Sequence, residues 1–171
     1  RSASGERALP LEQLWTGPGE TAADPRELLV QIDVPAPAPA TGSAYVRLEY
    51  RRQMEIAVVG VTAVVRLDAG SVSDARVAIT ALAPTIRRVS EAEAALIGSD
   101  GGDEAIDEAA RAAASGSSPI TDVRSSAEYR SAMANVIARR AIVVALARAR
   151  GEHLPIPASA ATYASVGGTS T

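Results

Sequence analysis

Hydrophobic and polar residues alternate over residues 44–50, with Val46, Leu48 and Tyr50 on one side and Tyr45, Arg47 and Glu49 on the other. A period of two is the signature of a strand with one buried and one solvated face. Arg51, Arg52 and Gln53 interrupt it, and residues 57–67 follow as an almost unbroken apolar run rich in valine. Its length also admits a helix, but the valines and the Asp68-Ala69-Gly70-Ser71 turn favour a strand entering a hairpin. The return strand, residues 73–82, sets Asp74, Arg76 and Thr80 against Ala75, Val77, Ile79 and Ala81. Three strands joined by tight connections predict an antiparallel meander with one wet face.

After Pro84 the period lengthens. Ser90-Glu91-Ala92-Glu93 has the spacing of a capping box, and Gly98 closes the short helix that it opens. Gly101-Gly102 separates this helix from a second, over residues 103–114, which ends at Ser115-Gly116. Ser125-Ser126-Ala127-Glu128 offers another capping box. It opens the longest helix, which ends near Arg150-Gly151 and carries Tyr129, Met133, Val136, Ile137 and Val144 on one stripe. Arg148 and Arg150 sit at its negative end, where a cation is favoured. A sheet followed by helices covering one face makes residues 43–150 an α+β unit.

Upstream, Leu28, Leu29, Val30, Ile32 and Val34 predict a strand over residues 27–34, introduced by the Asp24-Pro25 turn. Pro35, Pro37 and Pro39 then remove backbone donors and fix φ, which makes a stiff connector. Residues 1–40 are therefore expected to be a unit apart from 43–150. Residues 151–171, rich in Ala, Ser, Gly and Thr, predict a mobile tail.

Composition excludes several chemistries. The chain of 171 residues has no cysteine, which rules out disulfides, thiolate metal ligation and a cysteine nucleophile. Its one histidine, His153, leaves no HExxH site and little scope for a Ser–His–Asp triad. A net charge of −3 offers no electrostatic footprint for nucleic acid. No stretch approaches the roughly 20 apolar residues that cross a bilayer, so a soluble, cytoplasmic protein is expected. The start at Arg1, with no leader after it, reads as the downstream piece of something longer.

The glycine-rich stretches, Gly17-Pro18-Gly19 and residues 98–102, lack the GxGxxG and GK[ST] spacings of phosphate cradles and read as turns. Asp103, Glu104, Asp107 and Glu108 crowd one helix start, where acids complement the dipole. Arg139-Arg140 reads as a wet face. One cluster stands out: Arg47, Arg51 and Arg52, followed by Met54, Glu55 and Ile56. Guanidinium groups where one strand ends and another begins suit phosphates, carboxylates or an acidic partner surface, although a solvated loop accounts for them equally well.

A wider pattern carries a resemblance. Glu27-Leu28-Leu29 through Val34-Pro35, Ala44-Tyr45-Val46-Arg47-Leu48 and Arg51-Arg52-Gln53-Met54-Glu55-Ile56-Ala57 follow one another in a recognisable order. Asp74-Ala75-Arg76-Val77-Ala78-Ile79, Ala83-Pro84-Thr85, Ala127-Glu128-Tyr129-Arg130 and Arg139-Arg140-Ala141 continue it. In this order the chain resembles the FAD-binding (medium) subunit of the molybdenum hydroxylases, of carbon monoxide dehydrogenase and xanthine dehydrogenase type. The resemblance implies a three-stranded antiparallel sheet covered by a helical bundle, preceded by the last strands of an FAD-binding domain. It also implies an oxidoreductase component that relays electrons from iron–sulfur clusters in a small subunit, through FAD, to NAD, a quinone or oxygen. Molybdopterin and the substrate then belong to a large subunit. The glycine-rich loops that grip the FAD pyrophosphate in the family lie upstream of the matched region. By position, the resemblance assigns Leu29 to an apolar wall beside the flavin ring, Arg47 to a basic position near it, and Arg51, Glu55 and Ile56 to a loop along it. Without a flavin, the alternative is a non-catalytic domain that binds a protein partner through the Arg47–Arg52 cluster.

Overall fold

The computed structural model describes residues 1–51, 54–156 and 158. Arg52, Gln53 and the expected tail from residue 159 onward lie outside the described residues. Near the start, a 3-10 turn at Leu11–Gln13 leads into a hairpin of β1 (Trp15–Gly17) and β2 (Glu20–Thr21), turned at Pro18-Gly19. Arg7 holds this region together through Glu27 and the carbonyl of Ala22, each at 2.7 Å. None of residues 1–40 is buried.

The strand expected over residues 27–34 does not form. Leu28 exchanges backbone contacts with Arg1, and no strand lies alongside the rest of the run among the described residues. A strand needs a ladder partner for its donors and acceptors, and apolar content alone does not supply one. Leu28, Leu29, Val30, Ile32 and Val34 consequently stand exposed on an extended segment.

The sheet follows the alternation closely. β3 (Thr41–Leu48), β4 (Val59–Asp68) and β5 (Ser71–Thr80) pair antiparallel in that order. Gly42, Ala44 and Val46 face inward on β3, as do Val61, Ala63 and Val65 on β4 and Val72, Ala75, Val77 and Ile79 on β5. Ala69 and Gly70 turn the β4–β5 hairpin with φ of +47° and +86°, the left-handed pair that matches the twist of the strands. A bulge after Arg66 lets Val72 face the core, and the strand ends at Thr80. Ala81, expected inside, is exposed, and Leu82 is buried instead. A fourth strand, β6 (Arg87–Arg88), adds two residues to the edge of β5 that the meander leaves open.

Three helices cover one face. α1 (Ser90–Leu96) packs on β5, α3 (Ala127–Ala149) lies across β3 and β4, and α2 (Asp103–Ser115) packs on α1 and α3. The capping box expected for α1 is not made: Val89 holds the N-cap position and makes no side-chain cap. Glu93 turns inward, accepting from Val77 N at 3.0 Å and from Arg88 at 2.8 and 2.7 Å. The free edge of β5 competes for that carboxylate and wins. At α3, Ser126 rather than Ser125 caps, accepting from Tyr129 N at 3.2 Å.

The stripe expected on α3 is displaced. Ile137 and Val144 are buried, but Tyr129 and Val136 face solvent. The buried set is dominated by alanines (Ala134, Ala138, Ala141, Ala145, Ala149), with Ile142 and Leu146. α3 has a sheet on one side and α2 on another, so no single stripe describes it, and small side chains permit close approach. Arg148 and Arg150 do more than meet the dipole: Arg148 donates to Ser43 O at 2.6 Å and Pro155 O at 2.7 Å, and Arg150 to Asp100 O at 3.1 Å.

Candidate functional site

At one end of the sheet β3 leaves at Leu48 and β4 enters at Val59; the connection between them carries three of the five expected site residues, and Arg47 stands just before it on β3. Val58 N still reaches Leu48 O at 2.9 Å, so the ladder extends one residue beyond the strand. Arg47 pairs with Glu49 on the exposed face. Arg51 pairs with Glu55 at 3.1 Å and donates to Met54 O at 3.2 Å, closing a small ring across the connection. Met54 takes a left-handed φ of +51° and its side chain is 94% exposed. Ile56 beside it is 60% exposed. Arg47, Arg51, Glu55 and Ile56 are thus brought to one end of the fold. Leu29 is not joined to them: it lies on the extended upstream segment, 73% exposed, with no hydrogen bond or ion pair linking that segment to this connection among the described residues.

The same end holds a polar knot that periodicity did not reveal. Between α2 and α3, Asp122 and Ser125 pair across a tight turn. Asp122 Oδ1 accepts from Arg124 N at 2.8 Å and Ser125 N at 3.3 Å, and Oδ2 accepts from Arg124 Nη1 at 2.8 Å. Arg130, one turn into α3 and 3% exposed, pairs with Asp122. Its Nη1 also donates to Val58 O at 2.9 Å and, at 3.4 Å, to Ala81 O. Tyr50 donates its hydroxyl to Arg124 O. Arg130 stood in the sequence as one member of an Ala-Glu-Tyr-Arg run, and nothing there marked it as buried.

The Arg124 N–H beside Asp122, with help from the Arg130 guanidinium and Ser125 N–H, lowers the Asp122 carboxyl to about 2. Glu27 is likewise lowered to about 2, first by the Arg7 side chain and then by Asp24 N–H. A carboxyl held below its ordinary value contributes stability at pH above that value and loses it as pH falls through the folded one. The urea midpoint is therefore expected to stay level from about pH 8 to 5 and to decline between about pH 4 and 2. Asp122→Asn should flatten part of that decline, and an identical acid limb in the variant would remove Asp122 from the account.

Other sequence candidates resolve into structure. Arg139 on α3 bridges Asp103 and Asp107 of α2 at 2.8 Å each, so those acids fasten two helices together. Gly17-Pro18-Gly19 forms the β1–β2 turn, and residues 98–102 pass between α1 and α2, where Ser99 and Asp100 accept from the backbone of Gly101 and Gly102. Among the described residues no helix is long and apolar enough to cross a membrane.

With this geometry in view, comparison with known proteins is decisive. Residues 44–145, spanning β3 to the C-terminal part of α3, match the CO dehydrogenase flavoprotein C-terminal domain. The chain belongs to that family. The carbon monoxide dehydrogenase medium chain of Hydrogenophaga pseudoflava is 36% identical over 145 residues, 85% of this chain and 50% of that protein. The xanthine dehydrogenase FAD-binding subunit of Escherichia coli O157:H7 is 29% identical over 152 residues, 88% of this chain and 52% of that protein. Among solved structures, carbon monoxide dehydrogenase from Hydrogenophaga pseudoflava lacking the Mo-pyranopterin moiety matches with a TM-score of 0.81 and 39% identity, covering 85% of this chain and 50% of that one. The chain spans about half the length of the curated relatives it matches.

Two surfaces of the chain have the chemistry a flavin ring would need, one upstream of the matched domain and one within it. Leu28, Leu29, Val30, Ile32 and Val34 present apolar surface that the core does not cover, which a flat apolar ring requires of a wall. Arg47 and Arg51 supply positive charge, each already balanced by a glutamate. No glycine-rich phosphate cradle occurs among the described residues.

Proposed function

We propose that this chain is part of the FAD-binding subunit of a molybdenum hydroxylase, a cytoplasmic oxidoreductase in which electrons from iron–sulfur clusters pass through FAD to an acceptor. The observation that carries this reading is the flavoprotein-domain match over residues 44–145, adjoined by an apolar segment that the fold's own core leaves exposed. On this reading residues 1–40 belong to the FAD-binding domain, and residues 43–150 form the domain that follows it. The partners are a small iron–sulfur subunit and a large molybdopterin subunit, consistent with a chain that contains no cysteine to hold clusters of its own.

Bound FAD supplies the ability to take up electrons one at a time and release them in pairs. The residues of this chain shape its surroundings. Leu29 would keep water from the ring, Ile56 would add apolar surface, and Arg47 would supply positive charge near it. The Arg51–Glu55 pair ties together the two sides of the connection that carries Ile56.

The complete subunit, purified free of its iron–sulfur partner, is expected to be yellow, with the visible absorption of bound flavin. A folded, colourless subunit would favour the interaction-domain alternative. In the same preparation Leu29→Asp is expected to lower the flavin-to-protein ratio by about tenfold, because a carboxylate against an apolar ring must be desolvated without a partner. An unchanged ratio removes Leu29 from the site.

A further inference from the structure

Both arms of the β3–β4 connection are anchored to the same turn. On the β3 side, Tyr50 donates its hydroxyl to Arg124 O. On the β4 side, the carbonyl of Val58 receives Arg130 Nη1 at 2.9 Å, and Arg130 is in turn paired with Asp122. Arg124 and Asp122 belong to the tight turn that Asp122 and Ser125 close. The third anchor is Ala81 O, 3.4 Å from Nη1, on a residue with a left-handed φ of +61° that an alanine rarely adopts.

Burying a guanidinium is an inefficient route to stability, since its desolvation offsets much of what its pairs contribute and an apolar side chain of similar size often serves as well. Its Nε has no hydrogen-bond partner among the described residues, so even here the group is not fully satisfied by them. Such a fork does provide directional bonds from one rigid plane, so the chain segments it touches are held in one relative arrangement. Here those segments are the entry to β4, the exit from β5 and the turn before α3.

We propose that Arg130 is a positioning residue for residues 54–58: with Asp122 it fixes where Glu55 and Ile56 stand, while Tyr50 fixes the opposite arm. The inference deepens the flavin reading and rests on it for its consequence at the cofactor, but the placement of the connection is a property of this chain alone.

The test uses the complete subunit and two measurements. Arg130→Met keeps the apolar stem, and Asp122 keeps Arg124 as its partner. Amide hydrogen exchange within residues 54–58 is read at Val58, whose N–H is bonded to Leu48 O, and is expected to quicken there by about tenfold or more, while α2 and the Ala69-Gly70 hairpin stay within about twofold. Arg130→Lys, with one point-like donor group in place of a fork, should restore only part of the protection. Should Arg130→Met not fold, Asp122→Asn weakens the same clamp and is expected to give the same local pattern at smaller amplitude. Uniform quickening across the domain would make Arg130 an ordinary core residue and overturn the proposal, as would unchanged exchange at residues 54–58. The second measurement is the flavin reduction potential, expected to shift in Arg130→Met at undiminished flavin content. An unchanged potential with a loosened connection would sever the clamp from the cofactor. A wild-type subunit without flavin would defeat the functional reading, and the exchange measurement would still decide the role of Arg130.

Discussion

Gly42→Ala is expected to lower stability by about 3 kcal/mol or more, enough to leave a domain of this size largely unfolded in mild denaturant. The C-terminal part of α3 crosses β3 at this residue so closely that a Cβ would stand 2.0 Å from Ala145 O and 2.3 Å from Ala149 N. Both are backbone atoms of a helix, so no rotamer change relieves the overlap and the helix must lift from the sheet. Lifting it would separate Ala141, Ala145 and Ala149 from β3 and disturb the bond from Arg148 to Ser43 O. The neighbouring Ser43→Ala is the control, because Ser43 is exposed and Arg148 bonds to its backbone carbonyl, which alanine keeps. That variant should stay within about 0.5 kcal/mol of the parent. Urea midpoints compare the three proteins, and equal midpoints for Gly42→Ala and the parent would mean that α3 does not seat on β3 as described.

Removing the Glu93 carboxylate should have the next largest effect. Beyond the two residues of β6, the edge of β5 has no further strand among the described residues, and Glu93 Oε1 takes the place of a strand carbonyl for Val77 N. The same carboxylate grips Arg88 with both oxygens and so holds β6 to the sheet. Glu93→Ala leaves a buried N–H without an acceptor and is expected to cost about 2–3 kcal/mol. Glu93→Gln retains one carbonyl oxygen that can serve Val77 N or Arg88 but not both as well, and should cost roughly half as much. Denaturant titration gives the ranking, and hydrogen exchange at Val77 locates the loss. If alanine and glutamine prove equivalent, the carboxylate's bond to Val77 contributes nothing and the edge is protected in another way.

These two sites mark where local pattern and assembled structure part. The capping-box spacing at Ser90 and Glu93 was present, but the box was not made, because the open edge of β5 offered Glu93 a buried donor and a cation instead. At Ser126 a serine cap did form, one residue beyond the expected position, where no such competitor intrudes. Among the expected site residues, Arg47, Arg51, Glu55 and Ile56 were legible as a cluster because they are near neighbours along the chain. Leu29 is separated from them by the proline connector, and its relation to them was carried by resemblance.

The alternating runs of β3 and β5, the valine-rich apolar run of β4, the hairpin at Ala69-Gly70 and the extents of α2 and α3 follow from local pattern and turn residues, because each depends on contacts within a few positions of the chain. The run at residues 27–34 had the composition of a strand, yet pairing is a relation between segments, and beyond the contact of Leu28 with Arg1 none lies beside it among the described residues. The buried face of α3 was misplaced for a similar reason: large side chains drew the stripe, whereas closeness to β3 selected alanines and Gly42. Most distant of all, Arg130 meets Asp122, Ala81 and Val58 at separations of 8, 49 and 72 residues. No local period encodes such a meeting, since it exists only once the sheet and helices have packed and left one long polar side chain nowhere to go but the ends of the strands.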